Sequence, residues 1–198
     1  MSEHCYETQA KAARAWWAAL GPREAVGDQL AHPGDRAALA RLRRANTVLE
    51  AASEPATIEL FQKLQFDRSR ASADLPRAAL IAAVLAYIRE NDPKHKIASA
   101  IGQPRAGEGT TALITPLRFK RLVAARSPDD LLIQFRRVVA IMGKTANVKD
   151  LARLLLVFTD PDYRYAERAR VMFAFAYHGA EDFAPAADPA SAPQPAST

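Results

Sequence analysis

The sequence predicts an all-α protein of two small helical lobes, each an irregular bundle, joined by a Gly-rich loop and followed by a disordered tail. Three observations carry that expectation. Alanine, leucine and arginine dominate, and almost no stretch alternates apolar and polar residues with period two. Apolar residues instead recur three and four apart, as in Leu131, Leu132, Phe135, Val138, Val139 and Met142. Finally, Pro, Gly and Asx/Ser clusters cut the chain into segments of helical length.

A first helix over His4–Leu20 ends at Gly21-Pro22. Asp35 is placed to cap a second, running to about Leu49 with Leu39, Leu42 and Leu49 facing inward. Pro55 opens a third, reaching about Phe66. Asp74-Leu75-Pro76 opens a long apolar helix to Glu90, too short in its apolar stretch to span a bilayer. A short helix, Lys96–Ile101, leads into Gly102–Thr111, which holds Gly102, Pro104, Gly107 and Gly109 and reads as a hinge. Further helices start at Pro116, after Ser127, after Asn147 and at Tyr163. The expected division is 1–101, a linker at 102–112, a second lobe at 113–180 and the Ala/Pro/Ser-rich tail at 181–198. A single irregular bundle is the alternative arrangement.

Charge is unevenly spread. The 198 residues carry a net +5 with a sequence pI near 9.6. Residues 102–180 hold 13 basic and 7 acidic side chains, residues 1–101 hold 14 and 12, and the tail has three acids and no base. A basic second half is the footprint of a polyanionic partner. One cysteine, Cys5, rules out an internal disulfide framework. The N-terminus lacks the basic and apolar regions of a secretory signal, so a cytoplasmic, membrane-free protein is expected.

No chemistry stands out. His4, His32, His95 and His178 are far apart and have no metal-ligand spacing, so neither metal nor cofactor is expected. Gly107-Glu108-Gly109-Thr110-Thr111 lacks the Lys-Ser/Thr ending of a phosphate loop. Most carboxylates fall at helix starts, where the helix dipole accounts for them. The chain is therefore expected not to be an enzyme.

The cations do form a pattern. Arg118 and Arg121 lie three apart on one helix, with Lys120 further round, and Arg126 lies at the junction with the next. On that next helix Arg137 points away from the apolar stripe and Arg136 flanks it. Lys144 and Lys149 follow. A helical hairpin would present Arg118, Arg121, Arg126, Arg136 and Arg137 as one ridge, while Arg36, Arg43 and Arg44 project from the first lobe. Arginine suits phosphate because its planar fork makes paired, charge-assisted bonds. A solvated face that keeps the bundle soluble is the plainer reading of the same pattern. Trp16-Trp17 and the aromatic run Tyr163, Tyr165, Phe173, Phe175 and Tyr177 mix core and surface positions.

An ordered set of segments carries a resemblance. Ala-Arg-Ala-Trp-Trp is followed by Gly-Asp-Arg-Ala-Ala-Leu-Ala-Arg-Leu-Arg-Arg-Ala. Pro-Leu-Arg-Phe-Lys-Arg-Leu-Val-Ala-Ala-Arg-Ser and Asp-Leu-Leu-Ile-Gln-Phe-Arg-Arg-Val-Val lie downstream, then Asn-Val-Lys-Asp-Leu-Ala-Arg-Leu-Leu and a Tyr/Phe-rich helix. Over about Cys5 to Gly179 this resembles the CasB family, the small subunit of the type I-E CRISPR Cascade complex. The resemblance implies an all-helical, non-catalytic subunit present in two copies beside the backbone and large subunits. It implies contacts to crRNA and to target and non-target DNA that stabilise the R-loop. The family's basic positions fall on Arg43, Arg44, Arg118, Arg121, Arg126, Arg136 and Arg137. Nothing transfers onto the tail after Glu181.

Overall fold

In the computed structural model, residues 3–22, 34–66, 71–104 and 111–179 are described. Most of the expected hinge (105–110) and the tail from 180 onward lie outside them. The described residues form ten α-helices and one pair of two-residue strands: α1 (Glu3–Leu20), α2 (Arg36–Arg44), α3 (Val48–Ala52), α4 (Pro55–Lys63), α5 (Ala71–Leu85), β1 (Glu90–Asn91), α6 (Ile97–Gly102), α7 (Pro116–Ala124), α8 (Pro128–Ile141), β2 (Thr145–Ala146), α9 (Val148–Phe158) and α10 (Tyr163–Tyr177).

Side-chain caps set five of the helix starts among the described residues. Asp35 accepts from the Ala38 amide at 2.7 Å, Ser127 from Asp130 at 3.1 Å and Asn147 from Asp150 at 3.0 Å. Each satisfies one of the amides a helix start leaves unpaired. Gly143, at φ 74°, ends α8 by turning the chain into the left-handed region, and Lys144 follows at φ 65°.

The second expected helix is in fact two. The chain leaves α2 at Ala45, and Thr47 caps α3 by accepting from the Glu50 amide, while the Glu50 carboxylate accepts from the Asn46 amide at 2.6 Å. This reciprocal box rotates α3 out of the phase of α2. Leu49, expected inside, is 79% exposed as a result.

The apolar α5 is the axis of the molecule. Every side chain from Ala78 to Ala86 is fully buried, which is what a helix apolar all round requires. It packs against α2, α3 and α4 on one side and α8 and α9 on the other, and α1 lies along α9. One contiguous hydrophobic core therefore draws on both halves of the sequence. The strand pair, absent from the expectation, joins them again: β1 and β2 run parallel with Glu90 opposite Thr145 and Asn91 opposite Ala146.

Two arginines, Arg77 and Arg170, are buried in this core, and a third, Arg136, is half-buried at its edge. Arg77 pairs with Asp74 at 2.6 Å and donates to the Leu156 carbonyl at 2.9 Å. Arg170 donates to the carbonyls of Ala125 and Phe158 at 3.1 and 3.0 Å. Arg136 donates to those of Leu42, Ala45 and Ala83. Each guanidinium also lies over an aromatic ring, Phe66, Phe158 and Tyr87 respectively, 4.5–5.0 Å from its centre. These carbonyls lie at or near helix C-termini, where no backbone donor follows, so a forked cation is a natural cap.

Candidate nucleic-acid interface

The helices α7 and α8 follow one another through Ala125-Arg126-Ser127 and pack together. Phe119 and Leu122 of α7 turn inward, as do Leu131, Leu132, Phe135, Val138 and Val139 of α8. Phe119 stacks on Tyr177 at 3.8 Å between ring centres, which fixes α7 against α10. With those faces committed, Arg118, Lys120 and Arg121 of α7 and Arg137 of α8 face solvent.

Between them lies an open groove of about 430 Å³ lined by Arg118, Arg121 and Arg137, with Gln134 and an apolar floor that includes Ile114, Leu122 and Val138. No carboxylate lines it. All three arginines are exposed, and none makes an ion pair among the described residues. Uncommitted guanidinium forks converging on a shallow surface offer bidentate sites to phosphate oxygens. Gln134, one helical turn before Arg137, adds an amide that the sequence reading missed; its i, i−3 spacing was the available signal.

The other expected site residues divide. Lys120 is exposed on α7 but does not line the groove. Arg126 is drawn away, donating to the carbonyls of Val123 and Ala125 and pairing with Glu167 at 3.0 Å. Arg136, adjacent to Arg137, is half-buried in the capping role described above, and burial pushes its pKa down from the ordinary guanidinium value. Arg43 is also partly buried: its Nε donates to the Ala86 carbonyl at 2.6 Å, and burial, with Arg89 nearby, lowers its pKa. Arg36 and Arg44 are exposed on α2. Arg44 borders a shallow depression shared with Arg41, Glu50 and Glu54, where Arg41 and Glu54 pair at 2.6 Å. Lys149 pairs with Glu7 at 2.7 Å and ties α9 to α1. Lys144 is partly buried in the turn after α8, its carbonyl accepting from the Arg89 amide at 2.8 Å. The structure thus gathers Arg118, Arg121 and Arg137 into one site and disperses the rest.

Among the described residues no three His, Cys, Asp or Glu side chains come together as a metal site would need, and no helix is long and apolar enough to cross a membrane.

Residues 38–178 match the family described as CRISPR-associated protein Cse2. The chain belongs to the Cse2 family. Membership makes it a CRISPR-associated subunit of the type I-E Cascade complex, from a family of structural, generally non-catalytic components. The matched span contains the whole α7–α8 groove and stops before the tail. No curated protein and no solved structure matches the chain.

Proposed function

We propose that this Cse2 protein binds the sugar-phosphate backbone of nucleic acid through the α7–α8 groove and performs no catalysis. Acting in the cytoplasm as one of two copies beside the backbone and large subunits, it stabilises the crRNA–target duplex and the displaced strand. The observation that carries this reading is the convergence of Arg118, Arg121 and Arg137 on a groove without a carboxylate.

The physics of guide-directed recognition favours such a role. Replacing a DNA duplex by an RNA–DNA heteroduplex is nearly balanced in free energy, so contacts to the backbone tip the outcome. Sequence is read by base pairing, and the small subunit needs only sequence-independent phosphate contacts. The groove, with three cations carried by two packed helices, provides them.

The test is the lifetime of the R-loop in assembled Cascade carrying Arg118→Ala, Arg121→Ala and Arg137→Ala together. Dissociation of the target is expected to accelerate at least about fivefold, equivalent to about 1 kcal/mol. An R-loop lifetime equal to that of the parent complex would overturn the assignment.

A further inference from the structure

The aromatic run at the end of the chain resolves into an inner and an outer set. Phe173 and Tyr177 of α10 are buried, whereas Val171, Met172 and Phe175 are 53%, 54% and 52% exposed. The outer set continues a stripe. Arg164, Arg168, Val171, Met172 and Phe175 recur at helical spacing on one outward face, with both cations in the first half and the apolar side chains in the second. Beside this face runs a groove of about 490 Å³ between α10 and α9, whose lining includes Leu154, Val157, Met172 and Phe175 with Arg153 and Arg168.

This surface is unlike the α7–α8 groove. There the exposed side chains are cations and the apolar atoms form a floor; here the apolar side chains themselves protrude. Phe175 alone of the three could stack on a base, and Val171 and Met172 gain nothing from a hydrated phosphate chain, whereas a contiguous apolar patch edged by charge is the usual mark of a protein contact. Methionine and phenylalanine also adapt well to a helical ligand laid in a groove.

We infer that the outward face of α10 and its groove against α9 form a docking surface for an acidic amphipathic helix supplied by another protein subunit of the complex. The partner's apolar side chains pack on Met172, Phe175 and Val171. Its carboxylates, one to two turns away along the same helix, meet Arg164 and Arg168. The exposed Arg164 and Arg168 draw such a segment in and disfavour a basic one. The inference rests on membership of a multisubunit complex and not on the nucleic-acid reading, so either can fail alone.

The test uses full-length protein in assembled Cascade, with Met172 replaced by the photo-crosslinking residue benzoylphenylalanine. Irradiation and mass spectrometry are expected to recover one peptide of a different protein subunit, with Asp or Glu within two helical turns of the crosslink. A crosslink only to nucleic acid, only to a second copy of this chain, or to a peptide without acids overturns the proposal, as does no crosslink in an assembled complex. A Met172→Glu, Phe175→Glu double variant provides the second measurement. Its occupancy in the purified complex is expected to fall at least about tenfold, with its circular dichroism and the free chain's affinity for DNA within about twofold of the parent. Undiminished occupancy overturns the proposal.

Discussion

Arg136 and Arg137 are neighbours of the same type with opposite fates, and replacing each in turn separates architecture from binding. Arg136 serves the carbonyls of Leu42 at 2.7 Å, of Ala83 at 3.1–3.2 Å and of Ala45, with Tyr87 under its guanidinium. Arg136→Met keeps the aliphatic stem and removes the fork. Three half-buried acceptors then lose their donor, at about 1 kcal/mol each, the low end for orphaned buried polar groups. The total is about 3 kcal/mol, or roughly 10 °C in Tm for a chain of this size. Arg137→Ala exposes no orphan and should stay within about 0.5 kcal/mol of the parent. Thermal unfolding followed by circular dichroism reads both. A Tm for Arg136→Met within about 2 °C of the parent would refute the capping role. So would a drop of equal size in Arg137→Ala.

Two further predictions concern other joints of the fold. A Cβ added at Gly102 would sit 1.9 Å from the Tyr177 carbonyl oxygen, which is backbone and cannot rotate aside. Gly102→Ala should therefore push α6 from α10 and cost about 2 kcal/mol, the middle of the overpacking range, measurable by denaturant unfolding. At the α1–α9 contact, the hydrogen bond from Lys149 holds the Glu7 carboxyl below its ordinary value; burial opposes this, and the charges of Lys149, Lys11 and Arg153 reinforce it. A depressed folded pKa gives stability that is present above the unfolded value and lost as pH falls through the folded one. Glu7→Gln should thus be less stable than the parent by about 0.5 kcal/mol near neutrality, as solvent-screened pairs are. The gap should narrow in melts taken below about pH 4, the ordinary glutamate range, and close once pH is beneath the lowered folded value.

How much of this was legible in the sequence depended on whether the deciding interaction was local. The caps at Asp35, Ser127 and Asn147 and the turn at Gly143 act within a few residues, and their helix ends fell where expected. The apolar stripe of α8 followed from periodicity, and the burial of α5 from its unbroken apolar run. The exposure of Arg118, Arg121 and Arg137 was readable because helical spacing put them opposite the core faces of their helices. The half-burial of Arg136 was not, because the acceptors it serves lie 53–94 residues away in sequence. The contacts of Arg43 with Ala86 and of Lys149 with Glu7 were not legible for the same reason. Leu49 was misplaced by a continuous helical phase that the Thr47–Glu50 box interrupts. The parallel pairing of β1 with β2 involves two residues a side, too few for any period to register.

The most direct test of the α7–α8 groove as a phosphate-binding surface is the salt dependence of DNA binding by the free chain. Each phosphate neutralised contributes about 0.7 to 0.9 to the slope of log K against log salt concentration. The account predicts that Arg118→Ala, Arg121→Ala and Arg137→Ala together lower that slope by about 2 to 3, while Arg136→Met, assayed where it is folded, leaves it unchanged. A triple variant with the parental slope would contradict it.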